Sequence, residues 1–304
     1  MPTGTGDGLA GGRVVVGVDG SPGGRAALVW ALAAAARAGA SLRVVAAFPV
    51  EVYWGDPVLI DPQHIEAVHA DTEARAGAVL DEVRGELPAG SDVAVEVVAM
   101  PGRAGRELVL ASEDADLLVV GNRGRGAVRS TVFGSVALHC VTHARCPVVV
   151  VRPRSEAALT PPRVVVGLDG SETSQHALER ALLEAGRLGA AVTAVAAYSP
   201  ESYWSDAYEV FIPPVEQLRE DAQRGAEEEV ARAREAAGPG APAVDVQAVE
   251  GVAGEVLVRQ AEGAELLVVG GRGHGAVREL LLGSIALHCV LHAPCPVMVV
   301  PTGR

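Results

Sequence analysis

Two glycine-rich stretches carry the most specific chemical signal in the sequence. Gly121-Asn122-Arg123-Gly124 is followed by nine residues and then by Gly134-Ser135. Gly270-Gly271-Arg272-Gly273 is followed by nine residues and then by Gly283-Ser284. Each stretch follows an apolar run that reads as a strand, and each Gly-Ser pair opens a helical pattern. Glycine admits positive φ and leaves no Cβ between a main-chain amide and an anion. A helix N-terminus adds unpaired N–H groups and the positive end of its dipole. This is the chemistry of a phosphate cradle. Arg123, Arg125, Arg129, Arg272 and Arg278 add local positive charge; Gly126 and Ala127, and Gly275 and Ala276, extend the loops. His274 stands where the first stretch has Arg125, and Ser135 and Ser284 can add a hydroxyl. A tight strand-to-helix turn also uses glycine, but the same spacing kept twice favours the cradle. Alanine at Gly121 or Gly270 is therefore expected to weaken phosphate binding with little unfolding.

Asp19 and Asp169 close the first apolar run of each half, in Val-Asp-Gly-Ser and Leu-Asp-Gly-Ser. Ligands of open α/β sheets bind outside the carboxyl ends of the strands, where the winding reverses. A carboxylate there can accept hydrogen bonds from ribose hydroxyls. The competing role is local: the aspartate and its following serine can simply cap the next helix.

Composition removes other chemistries. All 25 basic residues are arginine, so no Walker A lysine, kinase ATP lysine or Schiff-base lysine exists. The formal net charge of −13 argues against nucleic acid and against an anionic membrane surface as partners. Any phosphate must be held by local geometry against the average field. The first dozen residues lack an apolar export segment, and no apolar run reaches membrane-spanning length. The expectation is a cytoplasmic protein with its four cysteines reduced.

The elements that must position these residues come in duplicate. RVVVGVDGS at 13–21 returns as RVVVGLDGS at 163–171, and DLLVVGNRGRGAVR at 116–129 as ELLVVGGRGHGAVR at 265–278. FGSVALHCVTHARCPVVVV at 133–151 returns as LGSIALHCVLHAPCPVMVV at 282–300. The expected organisation is a disordered N-terminus at 1–12, domains at 13–152 and 163–301, and a linker at 153–162. In the first copy, strands are expected at 13–18, 42–48, 92–99, 116–120 and 147–151. Helices are expected at 22–39, about 62–86, within 102–113, and from 134–135 to about 144. Alternating strands and helices with continuous Val/Leu strands imply an α/β fold: a parallel sheet, helices on both faces, doubly wound. Spacing alone leaves the strand order open.

These motifs together resemble the universal stress protein family in its tandem form. They are V-D-G-S after the first strand, then V-G-x2-G-x9-G-S, then C-P-V-x-V-V as the last strand. The resemblance covers about 13–152 and 163–301. It implies two five-stranded parallel sheets in order 3-2-1-4-5, of the adenine-nucleotide alpha-hydrolase type. The ATP-binding branch keeps the glycine motif, as both copies do here. Carried over, its site is Gly17, Val18, Asp19 and Ala47; Gly121–Ala127; Gly134, Ser135 and Val136. In the second copy it is Gly167, Leu168, Asp169 and Ala197; Gly270–Ala276; Gly283, Ser284 and Ile285. The cofactor implied is ATP, with Mg²⁺ as an accompanying ion. The resemblance also implies pairing of the last strands as an intrachain pseudo-dimer, and makes a homodimer of tandem chains and a regulatory protein partner plausible. Function is then nucleotide-dependent stress response or signalling, with a slow ATPase or phosphotransferase as the alternative.

Two weaker signals remain. His139-Cys140-x2-His143-x2-Cys146 recurs as His288-Cys289-x2-His292-x2-Cys295. Four soft ligands invite a zinc or thiol-sensor reading, but the crowded spacing on one helix favours packing. Tyr53-Trp54 and Tyr203-Trp204 follow the second strand of each copy, as loop anchors or as a lid over a base.

Overall fold

Val14, Val15, Val16 and Val164, Val165, Val166 are completely buried. A strand buried at every position must have both faces of its sheet covered, which alternating crossover helices achieve. The computed structural model describes residues 11–49, 62–86, 92–125, 133–153, 161–200, 214–273 and 282–301. The chain divides into two compact units, Met1–Pro153 and Arg154–Arg304.

In the first unit the order is β1 (Arg13–Gly17), α1 (Pro22–Ala38), β2 (Ser41–Phe48), α2 (Pro62–Glu86), β3 (Val95–Pro101), α3 (Ala104–Ala111), β4 (Leu117–Gly121), α4 (Ser135–His143) and β5 (Val148–Val151). The strands run in parallel in the order β3-β2-β1-β4-β5. The second unit repeats this with β6 (Arg163–Leu168), α5 (Glu172–Leu188), β7 (Ala191–Tyr198), α6 (Val215–Ala237), β8 (Val244–Glu250), α7 (Ala253–Gln260), β9 (Leu266–Gly270), α8 (Ser284–His292) and β10 (Val297–Val300). Its order is β8-β7-β6-β9-β10. The winding reverses between β1 and β4, and between β6 and β9, so a crevice opens at their carboxyl ends.

Local chemistry fixes the helices that frame this crevice. Ser21 caps α1, its Oγ accepting from Gly24 N at 3.0 Å, and Pro22 supplies a fixed φ at the first helical position. Ala27, Leu28, Ala31, Leu32 and Ala35 form the buried stripe; burying Leu28 or Leu32 contributes about 1.5–3 kcal/mol each. Gly39 stops the helix at φ 61°, a left-handed position that glycine fills without strain. Ser171 and Gly189 do the same for α5.

The expected third strand, 92–99, differs: β3 begins at Val95. It lies at the sheet edge and pairs only with β2, whose ladder with it starts at Leu42↔Val95. Val93 is buried but lies before that ladder. Alternating apolar residues therefore mark a buried face beyond the reach of the hydrogen bonds that define the strand.

Candidate functional site

The carboxyl ends of β1 and β4 bring Asp19 against the first glycine loop. Asp19 Oδ1 accepts from Ser21 N at 3.0 Å and Ser21 Oγ at 2.6 Å; Oδ2 accepts from Arg125 N at 2.8 Å. Asp19 thus ties the turn that caps α1 to the loop that leaves β4. The sequence offered ribose binding and capping as alternatives; in this structure Asp19 supports the cap through Ser21 and also pins the loop. In the second unit Asp169 Oδ1 accepts from Ser171 N at 3.0 Å, and a Cβ on Gly273 would run into Asp169 Oδ2.

The glycines divide into two kinds. A Cβ at Gly121 would lie 2.5 Å from the Gly23 carbonyl carbon and 2.9 Å from Gly24 N, both main chain of α1. A Cβ at Gly270 would meet Thr173 Cγ2 at 2.9 Å. These two positions let a helix start press against a strand end. The expectation that alanine there would act on a ligand with little unfolding is therefore corrected: the obstructed neighbour is the protein itself. Gly124 faces the crevice side, where a Cβ would meet Asp19 Oδ2 at 2.6 Å.

Not every loop amide is bare. Asn122 N donates to the Val151 carbonyl at 2.8 Å, Gly134 N to the Asn122 carbonyl at 2.9 Å, and Arg125 N to Asp19. Gly271 N and Gly283 N are likewise engaged, by the Val300 and Gly271 carbonyls, each at 2.7 Å. The helices opening on the crevice are different. α4 has Gly134 as its N-cap and α8 has Gly283, and neither receives a side-chain cap. The next helix start at the crevice, that of α3 or α7, also lacks one. By contrast, α1 and α5 are capped by serine. Two uncapped N-termini therefore converge on each crevice, an arrangement suited to an anion.

Each crevice holds a cavity. In the first unit it measures about 80 Å³ and is lined by Gly17, Val18, Asp19, Ala47, Gly121, Arg123, Gly124 and Val136, all expected from sequence. In the second it measures about 260 Å³ and is lined by Gly167, Leu168, Asp169, Ala197, Gly270, Arg272, Gly273, Gly283, Ser284 and Ile285 of the expected set. Asn122, Arg125, Gly134 and Ser135 do not line the first cavity, nor Gly271 the second. Asn122 is buried, and Arg125 serves through its amide. Gly126, Ala127, Arg129, His274, Gly275, Ala276 and Arg278 lie outside the described residues, as do Tyr53-Trp54 and Tyr203-Trp204.

Sequence reasoning missed one wall. Ala104 and Leu108 of α3 line the first cavity, and Ala253 and Leu257 of α7 the second. A Cβ on Gly17 would lie 2.8 Å from Leu108 Cδ1, and one on Gly167 equally close to Leu257 Cδ1. The signal was present: Gly-x-Ala-Gly-x-x-Leu occurs at 102–108 and again at 251–257. With Val45 and Ala47, or Val195 and Ala197, these residues make an apolar side opposite the glycine loop, suited to a flat heterocycle.

The histidine–cysteine clusters take the packing role. Cys140, Cys146, Cys289 and Cys295 are buried as free thiols. Burial pushes the Cys140 and Cys289 thiols up to about 12, with the neighbouring cysteine adding to the shift. His139 stacks on His143 at 4.2 Å, and its ring packs over Gly105. Burial, then the proximity of His143, lowers its pKa below the ordinary histidine value. No group of three or more metal-ligating side chains assembles among the described residues. No helix among them is long and apolar enough to cross a membrane.

The model of the universal stress protein family matches residues 12–152 and again 161–301. A universal stress protein of Mycolicibacterium smegmatis (strain ATCC 700084 / mc(2)155) is 33% identical over 302 residues, covering 94% of this chain and 96% of the relative. One of Mycobacterium tuberculosis (strain ATCC 25618 / H37Rv) is 33% identical over 297 residues, covering 92% and 93%. The crystal structure of a universal stress protein from Archaeoglobus fulgidus DSM 4304 superposes with a TM-score of 0.67 at 20% identity, covering 98% of both chains, and speaks for the fold. The duplicated motifs, the strand order and these matches agree: the chain belongs to the universal stress protein family, in its tandem two-domain form.

Proposed function

We propose that each unit binds an adenine nucleotide, ATP, in the crevice between its first and fourth strands, and that occupancy is the signal the chain carries. One observation supports this most: in both units an apolar wall faces a glycine loop and two uncapped helix N-termini across one cavity. The base would lie against Ala47 and Leu108, or Ala197 and Leu257. The phosphates would meet the α4 or α8 amides with Arg123 or Arg272 beside them. The second cavity is near the lower end of small-molecule pockets, which run from about 300 Å³; the first would have to widen.

Binding without fast turnover fits the lining. Asp19 and Asp169 are the only carboxylates lining the cavities among the described residues. Both oxygens of Asp19 already accept hydrogen bonds from Ser21 and Arg125, which leaves a poor general base. Mg²⁺ would be carried largely by the phosphates, with Asp19 or Asp169 the cavity-lining carboxylate, among the described residues, that could help hold it. The chain then acts as a nucleotide-dependent module whose loaded and empty states offer different surfaces to a regulatory partner.

The test is to denature freshly purified protein and identify released nucleotide by chromatography, then titrate the emptied protein with ATP. Released or rebound ATP is expected; the absence of both release and rebinding overturns the reading. Phosphate release at ordinary kinase rates, a few per second or more, would replace it with the phosphotransferase alternative.

A further inference from the structure

The second unit departs from the first at two positions that touch each other. Ser174 and Glu229 stand 150 residues after Gly24 and Val79. The helical register is the same: Ala76, Leu80 and Val83 of α2 are buried, and so are Ala226, Val230 and Ala233 of α6. Where the first unit has a glycine and a valine, the second has a hydroxyl and an acid.

Glu229 is 3% exposed, a position where a carboxylate is costly without partners. Ser174 Oγ lies 2.8 Å from its Oε1, and the Gly170 N–H also bonds it. Ser174 lines the second cavity. Its Oγ also lies 3.0 Å from the Ser171 carbonyl. A single hydroxyl proton shared between these two acceptors holds each less well than a full hydrogen bond; a proton taken up by Glu229 would let the acid donate to Ser174 Oγ while Ser174 donates to Ser171 alone. Burial and the nearby Asp169 push the Glu229 carboxyl above the ordinary range, opposed by Ser174, Arg232 and Gly170.

We propose that Glu229 is a positioning residue for the second cavity: through Ser174 it couples nucleotide binding there to uptake of a proton, a coupling the first cavity lacks. This rests on reading the cavities as nucleotide sites. A triphosphate beside Asp169 and Ser174 adds negative charge close to Glu229 and so favours its neutral form. The groups acting on Glu229 are Asp169 and the Gly170 amide from the β6–α5 turn, Ser174 from α5, and Arg232 one turn along α6. The strands packed against α6 carry Tyr198, Asp245 and Glu250. On α5, which also packs against α6, the buried acid Glu184 is paired with Arg180 and Arg187, each at 3.0 Å.

The experiment is calorimetric titration of the full chain with ATP in pairs of buffers of different ionisation enthalpy, from the ordinary carboxyl range, about pH 4.5, up to about pH 8. Wild type is compared with Glu229→Gln, which keeps a donor toward Ser174 but cannot titrate. Protons exchanged by the γ-phosphate are common to both and cancel in the difference. Wild type is expected to take up more protons per chain than E229Q, up to about one. Affinity at one class of site falls by up to about tenfold per pH unit in wild type beyond any change in the variant. The double variant S174G/E229V, which recreates the pair of the first unit, should bind ATP and behave as E229Q does. Equal proton uptake in wild type and both variants overturns the proposal while leaving nucleotide binding intact. No ATP binding at any pH overturns the nucleotide reading, and the proposal with it.

Discussion

Gly121→Ala is the sharpest test of how the site is built. The added Cβ would sit 2.5 Å from the Gly23 carbonyl carbon, 2.6 Å from its oxygen and 2.9 Å from Gly24 N. Carbon atoms in good contact lie about 3.5–4.0 Å apart, so the overlap is about 1 Å, and every obstructing atom is main chain. Relief requires moving the first turn of α1, which is held by the Ser21 cap and by Asp19. Overpacking a well-packed position costs about 1–3 kcal/mol and sometimes more; with no side chain able to swing away, about 3 kcal/mol is expected. At about 2–4 °C per kcal/mol, the first unit should melt about 6–12 °C lower. Gly270→Ala meets Thr173 Cγ2 at 2.9 Å, with Thr173 Cβ and the Thr173 carbonyl carbon each at 3.2 Å, a milder clash that should cost about 1–2 kcal/mol. Gly124→Ala meets only the Asp19 carboxylate, at 2.6 Å; it should weaken ATP and, by disturbing the Asp19 hydrogen bonds, lower melting by less than Gly121→Ala. Differential scanning calorimetry gives the melting temperatures, and ATP titration the affinities. A G121A protein that melts within about 1 °C of wild type, or a G270A protein that loses more than G121A, would refute this division of the glycines.

Four further outcomes are expected. Ser21→Ala should cost about 1–2 kcal/mol in chemical denaturation and more than Ser171→Ala, because Ser21 Oγ both caps α1 and donates to Asp19 at 2.6 Å. Gly77→Ala, in α2 with nothing within 4 Å of the new methyl, should stabilise by about 0.5–1 kcal/mol, read as a higher melting temperature. Cys140 and Cys289, buried and with thiols pushed up to about 12, should resist a thiol reagent such as Ellman's at neutral pH until the protein is unfolded. Glu229→Gln should stabilise the second unit in alkaline buffer. The raised carboxyl contributes stability that is fully present below its unfolded pKa and is lost as pH rises through the folded value; the advantage of the variant in thermal melts should therefore shrink as pH falls.

Much of this architecture was legible because each signal is local and appears twice. Val-rich runs, Ser21-Pro22 and the stop at Gly39 delimit β1 and α1 from chemistry confined to a few residues. The 62–86 helix coincides with α2. The misses need three dimensions. β3 is defined by where β2 offers hydrogen bonds, which alternation in 92–99 cannot reveal. The role of Gly121 depends on Gly23, about a hundred residues earlier, pressing on it across a strand end. The α3 and α7 wall was visible as a repeated Gly-x-Ala-Gly-x-x-Leu, but only the sheet order brings Leu108 over Gly17. The Ser174–Glu229 contact joins positions 55 residues apart, and no spacing rule links them.

Duplication turns the chain into its own control. Where the two units keep the same residue, selection for fold and selection for ligand cannot be told apart by comparing the halves, since both would preserve Asp19 and Asp169. Where they differ in a coordinated way, fold alone is a weaker explanation. The first unit folds with Gly24 and Val79 at these positions, so Ser174 with Glu229 adds a buried acid that the shared fold does not require. Burying that acid costs free energy unless a partner or a proton compensates it. The same exchange places a hydroxyl in the wall of the larger cavity. Two sites of one ancestry then differ in volume, in lining and in the charge behind the lining. If both take the same nucleotide, they should fill over different ranges of concentration and pH, which would give one chain a graded response in place of a single threshold.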